Sequence, residues 1–426
     1  MTYSIDYFGY ILLVLVTFLS VLWLLIFLEY SPNSKGSKRI RSYPSLAIVI
    51  PTIWEGKRLR KTVVSALRAD YPRSKCTIYI ALNKSATGET VRTAQSIDSD
   101  RVVVTQCPTN GKASVLNYML KRVIKEDLLM VLDADSAISR DVIKRIVPYF
   151  DNEKVGGVVP ALLVSNPNTP IAKLQRYEYL LSILSRKAFV ESMDWIIVHG
   201  VGSTLRVSVV KKLGYFDDKA NPTEDLEMGL KMLTHDYKIE NAVSAVSSTE
   251  VPSSLGGLFK QRTRWFYGFY YNVMKHRKAI FSKEHRKIGF MTIPIVLSSM
   301  VIGTVALAGL LYSAVFIVGK WILYEFALVS NTSLNYAVSS QLTYRQGSWI
   351  FSLNTDVIMT VIVTIIGLAS MAYALRYSEA KVGAVRDTLG MVVYLALYTP
   401  FLLLIWLYAS VNYVLGRNPV QWKGAR

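Results

Sequence analysis

The sequence predicts an α/β domain held between hydrophobic ends, and three observations carry that prediction. Short apolar runs bounded by turn residues alternate with helix-spaced segments between Tyr43 and Ser248, the pattern of strands buried on both faces of a parallel sheet. Longer apolar stretches lie outside that region, Ile11 to Leu28, Ile293 to Val318, Val357 to Leu375 and Met391 to Val414, each near the ~20 residues that cross a bilayer. The segment Leu255 to Tyr271 joins the two regimes. Leu255, Leu258, Trp265, Phe266, Phe269 and Tyr270 make an apolar face, and Lys260, Arg262 and Arg264 a basic one, as in an interfacial helix. The expected organisation is an N-terminal transmembrane helix over 8–30 and a cytoplasmic domain over 43–250. Amphipathic interface helices follow over 251–288, then a C-terminal membrane region of three or four spans over 289–416, and a basic tail over 417–426.

At 426 residues the chain has room for one large soluble domain and several spans, since domains run to roughly 100–200 residues. Its apolar content of 51% and mean hydropathy of +0.29 come from the long stretches. The first reads as a signal anchor rather than a cleaved signal: Met1 to Tyr10 carries no Lys or Arg, and no small-residue cleavage site follows. Lys35, Lys38, Arg39 and Arg41 come after it, so the positive-inside rule puts the N-terminus outside and the central domain in the cytoplasm. Three later spans would leave the C-terminus outside, whereas Arg417, Lys423 and Arg426 favour the inside. A further span within Trp321 to Val338, or a membrane-embedded turn, reconciles the two. The net charge of +19 fits cytoplasmic segments that face anionic membrane lipids, at about 1 kcal/mol per basic residue; Lys275, Arg277, Lys278, Lys283, Arg286 and Lys287 are examples. No recognition motif accompanies the charge, which argues against nucleic acid as a partner. Cys76 and Cys107 stand in no metal-ligand spacing and read as reduced structural thiols.

Within the domain, Ser45 to Ile50 reads as a first strand ending at Pro51, and Leu59 to Leu67 as a helix. Cys76 to Leu82 and Arg101 to Thr105 read as the next strands, Lys112 to Ile124 as a helix, and Leu128 to Leu132 as a strand that stops at Asp133. This alternation implies a parallel sheet with right-handed crossovers. Ligands of such sheets bind beyond the carboxyl ends of the strands, where Asp133 falls.

Three signatures carry chemistry. Asp133 and Asp135 are two residues apart, so in extended geometry they share a face. Two carboxylates can hold one hard divalent cation that also binds substrate phosphate oxygens and offsets charge on a leaving nucleoside diphosphate; a turn or helix cap is the plainer reading. Thr223 reads as an N-cap and Asp225 as a first-turn residue of the helix that follows. Asp225 there either stabilises the helix dipole or serves as general base for a sugar hydroxyl. With no clear second carboxylate for a covalent route, single displacement with inversion is the simpler mechanism. Gln261, Arg264 and Trp265 stand at i, i+3 and i+4, so one helical face presents them together. Arg264 suits a diphosphate and Trp265 a sugar ring; an interfacial anchor with a snorkelling arginine is the alternative.

The order Pro51-Thr52-Ile53-Trp54-Glu55, Gly111-Lys112, Asp133-Ala134-Asp135, Thr223-Glu224-Asp225, Gln261-Arg262-Thr263-Arg264-Trp265 resembles the membrane-integrated family 2 glycosyltransferases, which include cellulose, hyaluronan, chitin-oligosaccharide and poly-N-acetylglucosamine synthases. The resemblance covers about Ser45 to Tyr271, and its most specific part is Q-x-x-R-W. It implies a GT-A-type, Rossmann-like α/β domain that binds a nucleotide sugar, and an inverting transfer with Mg2+ or Mn2+ as cofactor. It also implies a growing polysaccharide as acceptor, passed across the membrane, with non-processive transfer to a lipid acceptor as the alternative. A transporter or membrane-anchored regulator is the reading from another class, disfavoured because the apolar stretches hold almost no ionisable groups. By the resemblance, Pro51, Thr52, Glu55, Asn83, Lys112, Asp133, Gln261 and Arg264 line the donor site, and Asp135 with Asp133 holds the metal. Asp225, with Glu224 beside it, is catalytic, and Trp265, His199 and Gly200 border the acceptor. A UDP-sugar is the favoured donor and a GDP-sugar the alternative. Asn83 stands where the family usually has an acidic residue, and it brings a donor where Asp offers only acceptors, which bears on uracil recognition. Tyr312, Tyr373, Tyr394, Tyr398, Trp406 and Tyr408 fit interface aromatics better than a channel lining.

Overall fold

The computed structural model describes residues 40, 42–192, 198–219, 221–285, 287–329, 355–377 and 384–418, together with positions scattered within 11–28. The described positions of 11–28 are helical. The rest of that expected span, its basic flank at 35–39 and 41, the stretch 330–354 and the tail 419–426 lie outside the described residues.

The first half of the domain follows the expected alternation. Strand β1 (Leu46–Thr52) leads to helix α1 (Arg58–Leu67), β2 (Cys76–Leu82) to α2 (Gly88–Gln95), and β3 (Val102–Gln106) to α3 (Lys112–Arg122), before β4 (Leu128–Leu132). β1, β2 and β4 are apolar runs whose residues are almost all buried, because helices cover both faces of a parallel sheet. The second half departs from it. A short β5 (Ser136–Ile138) and α4 (Val142–Ile146) precede β6 (Val155–Val164) and the 23-residue helix α5 (Pro170–Ser192). Then come β7 (Val201–Arg206), α6 (Val207–Lys212), α7 (Glu224–Leu233) and β8 (Lys238–Thr249).

The eight strands form one sheet in the order β3-β2-β1-β4-β7-β6-β8-β5. Its first four strands run parallel. β7 is antiparallel to both neighbours, with Leu132 opposite Val201 and Leu128 opposite Arg206, and β5 is antiparallel to β8. The expected all-parallel sheet is therefore a mixed one. The chain leaves α5 at the carboxyl end of β4, since a side chain built on Gly200 would abut Asp133. A strand that starts there can only run back along β4. Two apolar cores result, one on each face, built around Ile48, Ile80 and Met130 and around Val49, Leu129 and Met228.

Helix α8 (Leu255–Lys275) carries the chain to the apolar helices. These are α9 (Ile293–Val329), α10 (Thr355–Tyr377), α11 (Ala384–Val393) and α12 (Thr399–Val414), with π-helical turns at Lys287–Thr292 and Tyr394–Tyr398. Among the described residues, Lys287–Gly309 and Leu389–Val414 are long and apolar enough to cross a membrane, with mean hydropathies of 2.1 and 2.0. A third cluster joins α5 to them: Tyr177, Leu180 and Ile183 pack with Met391, Tyr394 and Tyr398. Gly390 is what permits that approach, because a Cβ there would collide with Tyr177 Oη.

Candidate active site

The loops after β1 and β2 form one side of the candidate site, at the carboxyl end of the parallel strands. Glu55 folds its carboxylate back over its own loop: Oε2 accepts from Thr52 Oγ1 at 2.5 Å, Ile53 N at 2.6 Å and Trp54 N at 2.9 Å. Pro51 and Thr52 are the last residues of β1, and Thr52 is buried. Asn83 follows β2 and is only 3% exposed; its Oδ1 accepts from Gly111 N at 2.9 Å. Gly111 has φ +92°, a conformation that suits glycine, and it starts α3 with Lys112 as the next residue.

Lys112 links two of the signatures. Its Nζ lies 2.5 Å from Asp133 Oδ1 and 3.6 Å from Glu224 Oε1. Burial alone would lower the ammonium pKa, but Asp133, Glu224 and Asp225 together outweigh it and hold the charge above the usual lysine range. Asp135 has no such cation. Burial, and then the charge of Asp133, push its carboxyl up to about 6. Asp225 is also raised, by burial first and Glu224 second, with Lys112 and Arg264 acting against them. Carboxylates pushed upward beside a lysine are the arrangement expected of a functional site. Gly200 completes this side, because a Cβ there would strike Lys112 Nζ and come within 3.1 Å of Asp133 Oδ2. His199 beside it meets the Pro160 carbonyl through Nε2 at 3.1 Å, and burial lowers its imidazole to about 3, so it is neutral.

The opposite side is the Thr223–Asp225 turn, held against α8. Arg264 Nη1 donates to Pro222 O at 3.0 Å. Thr223 occupies the N-cap position of α7 but makes no capping bond through its side chain, contrary to expectation. Asn272 explains this: its Nδ2 donates to Thr223 O at 3.0 Å and reaches Thr223 Oγ1 at 2.9 Å. Gly268 permits the contact, since a Cβ there would overlap Thr223 Oγ1. Asp225 accepts from Leu226 N at 2.8 Å, which fixes the carboxylate at the first turn of α7.

Arg262 corrects the expected basic face of α8. It is 1% exposed and pairs with Glu178 at 2.6 Å. Its partner is far away in sequence, so helical periodicity could not reveal it. The geometry thus brings Lys112, Asp133, Glu224, Asp225 and Gly200 together, with Arg264 on the same turn. Glu55 and Asn83 lie one loop away, each engaged with its own backbone surroundings. Asn272, missed from sequence, belongs to the same assembly. Among the described residues no group of three or more His, Cys, Asp or Glu side chains converges to hold a metal ion.

Comparisons with known proteins agree with this layout. The chain is 26% identical over 246 residues to the poly-beta-1,6-N-acetyl-D-glucosamine synthase of Staphylococcus aureus, a match covering 57% of this chain and 58% of that protein. It is 26% identical over 262 residues to the synthase of the same name from Staphylococcus epidermidis, covering 59% of this chain and 63% of that one. In three dimensions it resembles a mannosyltransferase from Pyrobaculum calidifontis, solved in complex with GDP-Man and Mn2+, with a TM-score of 0.54. At 16% identity over 88% of this chain and 96% of that one, this likeness speaks for the GT-A fold. The model of the glycosyltransferase-like family 2 matches residues 44–268, more than half of the 426, and the protein belongs to that family.

Proposed function

We propose that this chain is an inverting, metal-dependent glycosyltransferase of the cytoplasmic membrane face, moving a sugar from a nucleotide-sugar donor onto a growing polysaccharide. One observation carries the reading. A single lysine, Lys112, bridges Asp133 of the D-x-D to Glu224 beside Asp225, so donor-binding and base-bearing segments share one site. The named activity of the staphylococcal relatives favours a polysaccharide product. The apolar helices adjoining α8 favour work at a membrane, and export of the product along them belongs to the same reading.

The chemistry follows from the side chains. Asp135, raised to about 6 by burial and a neighbouring carboxylate, gains from a cation at its side, and a two-carboxylate set suits a hard divalent ion that takes its remaining ligands from diphosphate and water. Asp133 and Asp135 would hold Mg2+ or Mn2+, as the Mn2+ in the mannosyltransferase complex suggests, and the ion when bound would neutralise charge on the departing diphosphate. Lys112 and Arg264 add fixed positive charge on the same side. Asp225, close to neutral pH in its affinity for a proton, takes the proton of the attacking hydroxyl. Because attack and departure occur in one step on opposite faces, the anomeric configuration inverts.

The test offers UDP-, GDP- and other nucleotide sugars, with Mg2+ or Mn2+, to the protein held in nanodiscs, beside the Asp225→Asn variant. Release of nucleoside diphosphate from one donor is expected, falling by about 10²–10⁴-fold in the variant. No release from any donor by folded wild-type protein, with lipid extract added, would overturn the reading. Sizing the product separates a polysaccharide from a single sugar on a lipid.

A further inference from the structure

Among the described residues Arg262 is the bulkiest fully buried side chain, and a buried guanidinium is a poor way merely to fill space. Its contacts run in three directions. Nη1 donates to Gln261 Oε1 at 2.7 Å. Nη2 donates to Glu178 Oε2 at 2.6 Å. The guanidinium carbon lies 4.0 Å from the centroid of the Trp265 ring, inside the range of a cation–π contact. Arg262 thus holds the first and last residues of the Q-x-x-R-W run. Its bond fixes the orientation of the Gln261 side-chain amide by engaging one lone pair of its oxygen. Its planar cation sets the tilt of the Trp265 ring.

What holds Arg262 comes from elsewhere in the chain. Glu178 lies on α5, and the same Oε2 accepts from Tyr398 Oη at 2.5 Å. Tyr398 closes the π-helical turn Tyr394–Tyr398, where the two rings stack with centroids 5.3 Å apart. Pro400 lies just beyond the turn, within the first turn of α12; without an N–H, and with a ring that crowds the carbonyl four residues back, it accounts for the break in regular α-helical bonding. Such turns inside helices recur at functional positions. The turn lies in the apolar segment Leu389–Val414. The Lys112–Asp133 pair stands apart from this path, on α3 and at the end of β4.

We propose that Arg262 is a positioning residue that sets Gln261 and Trp265 together, and that Tyr398 sets Arg262 through Glu178, so that the membrane helix acts on the acceptor platform directly. The inference rests on the reading of Trp265 as that platform. A growing or lipid-borne acceptor that disturbs the Tyr398 turn would tilt Trp265 while leaving the Lys112–Asp133 pair assembled.

The experiment uses full-length protein in nanodiscs, labelled with fluorotryptophan. The Trp265 fluorine resonance is identified by its loss in Trp265→Phe, then followed in Tyr398→Phe and Glu178→Gln. Both substitutions are mild, removing a hydroxyl or a charge, and both are expected to move or broaden that resonance. An unmoved resonance in two variants that melt like wild type overturns the proposal. In activity, Tyr398→Phe is expected to lower the ratio of sugar transferred to donor hydrolysed by about tenfold, equivalent to ~1.4 kcal/mol. An equal fall in both is what a merely structural role gives, and also overturns it. Arg262→Lys keeps the charge but loses the planar fork, so it is expected not to restore transfer; rescue by lysine would reduce Arg262 to a counter-charge. If wild type turns over no donor, the glycosyltransfer reading fails, while the fluorine signal still decides whether Tyr398 controls Trp265.

Discussion

The two sides of the candidate site are held by different means. On the proposed donor side the candidate residues sit at the ends of parallel strands: Pro51 and Thr52 end β1, Asn83 follows β2 and Asp133 follows β4. Backbone ladders keep these ends in register, Thr52 against Leu82 and Val49 against Val131. On the opposite side the Thr223–Asp225 turn and the Gln261–Trp265 run are joined by side chains. Arg264 reaches Pro222 42 residues away, Asn272 reaches Asn221 over 51, Arg262 reaches Glu178 over 84 and Tyr398 reaches Glu178 over 220. A ladder distributes its load over many equivalent bonds, so no single side chain is decisive. A side-chain hub concentrates it, and losing the hub strands several buried polar groups at once. Away from Lys112 and Asp133 the strand-end side is therefore expected to tolerate substitution, and the other side to respond to whatever moves α8.

The sharpest way to break this comparison is at Asn272, which is fully buried. Its amide donates to Thr223 O, Thr223 Oγ1 and Asn221 Oδ1, at 3.0, 2.9 and 3.1 Å, and accepts from Asn221 Nδ2 at 2.7 Å. Leucine fits the volume but leaves those partners unsatisfied, at about 1–3 kcal/mol for each buried group. Asn272→Leu is expected to lose about 3 kcal/mol of stability and most turnover, because the turn bearing Asp225 is released. The matched change on the donor side is Gln106→Leu. It removes one bond, from Gln106 Nε2 to Asn83 O at 2.9 Å, at an exposed position, and should stay within about 1 kcal/mol. Melting temperature and kcat for the pair decide; equal losses would erase the distinction between the sides.

The same contrast governs what the sequence made legible. β2 and β4 begin and end where the apolar runs do, Cys76–Leu82 and Leu128–Leu132, because a strand buried on both faces must be apolar throughout and stops where polar turn residues begin. Asp133 at a strand end follows from the same logic. The direction of β7 was not legible, since it depends on which end of the sheet α5 delivers the chain to. Thr223 was legible as an N-cap position, yet its hydroxyl meets Asn272 rather than a helix N–H. Arg262 carries the periodicity of a solvated face, and only Glu178 and Tyr398, distant in sequence, make it a buried hub. Local pattern reports local geometry; partners set by tertiary structure leave no mark on spacing.

A smaller effect comes from the charge at Asp225. Its carboxyl is pushed up from the ordinary carboxylate range to about 6, by burial first and then by Glu224. A raised carboxyl binds its proton more tightly in the folded than in the unfolded chain, so folding is favoured below the unfolded pKa. That advantage is lost as pH rises through the folded one. Asp225→Asn never ionises. It should therefore melt above wild type near pH 7, by on the order of 1 kcal/mol, and converge with it as pH falls towards 4. Transfer by wild type should fall over that same acid range as the base takes up its proton, with nucleoside diphosphate affinity less affected. A variant that melts below wild type at pH 7 would mean that the ionised carboxylate is held favourably, contrary to a site that costs stability for function.

The smallest expected effect is at Asn83, and it sharpens the donor side. The Asn83 side-chain oxygen already accepts from Gly111 N at 2.9 Å, which leaves one lone pair and the two amide N–H donors for a nucleobase. Uracil presents an N–H donor between two carbonyl oxygens at its pairing edge, and a carboxylate accepts from that N–H more strongly than a shared amide oxygen does. A carboxylate at this position has two oxygens, one to keep the Gly111 bond and one free to accept. It would also sit at the N-terminus of α3, where a negative charge is favourable by about 0.3–1 kcal/mol, offsetting part of its burial. Asn83→Asp is therefore expected to fold with little change in melting temperature. It should raise kcat/KM for UDP-sugars relative to GDP-sugars by up to about tenfold, the discrimination one hydrogen bond can supply. Competition between the two donor classes measures this directly. An unchanged ratio would mean that Asn83 only shapes the Gly111 turn, and that base selection on this side rests with the Pro51–Glu55 loop.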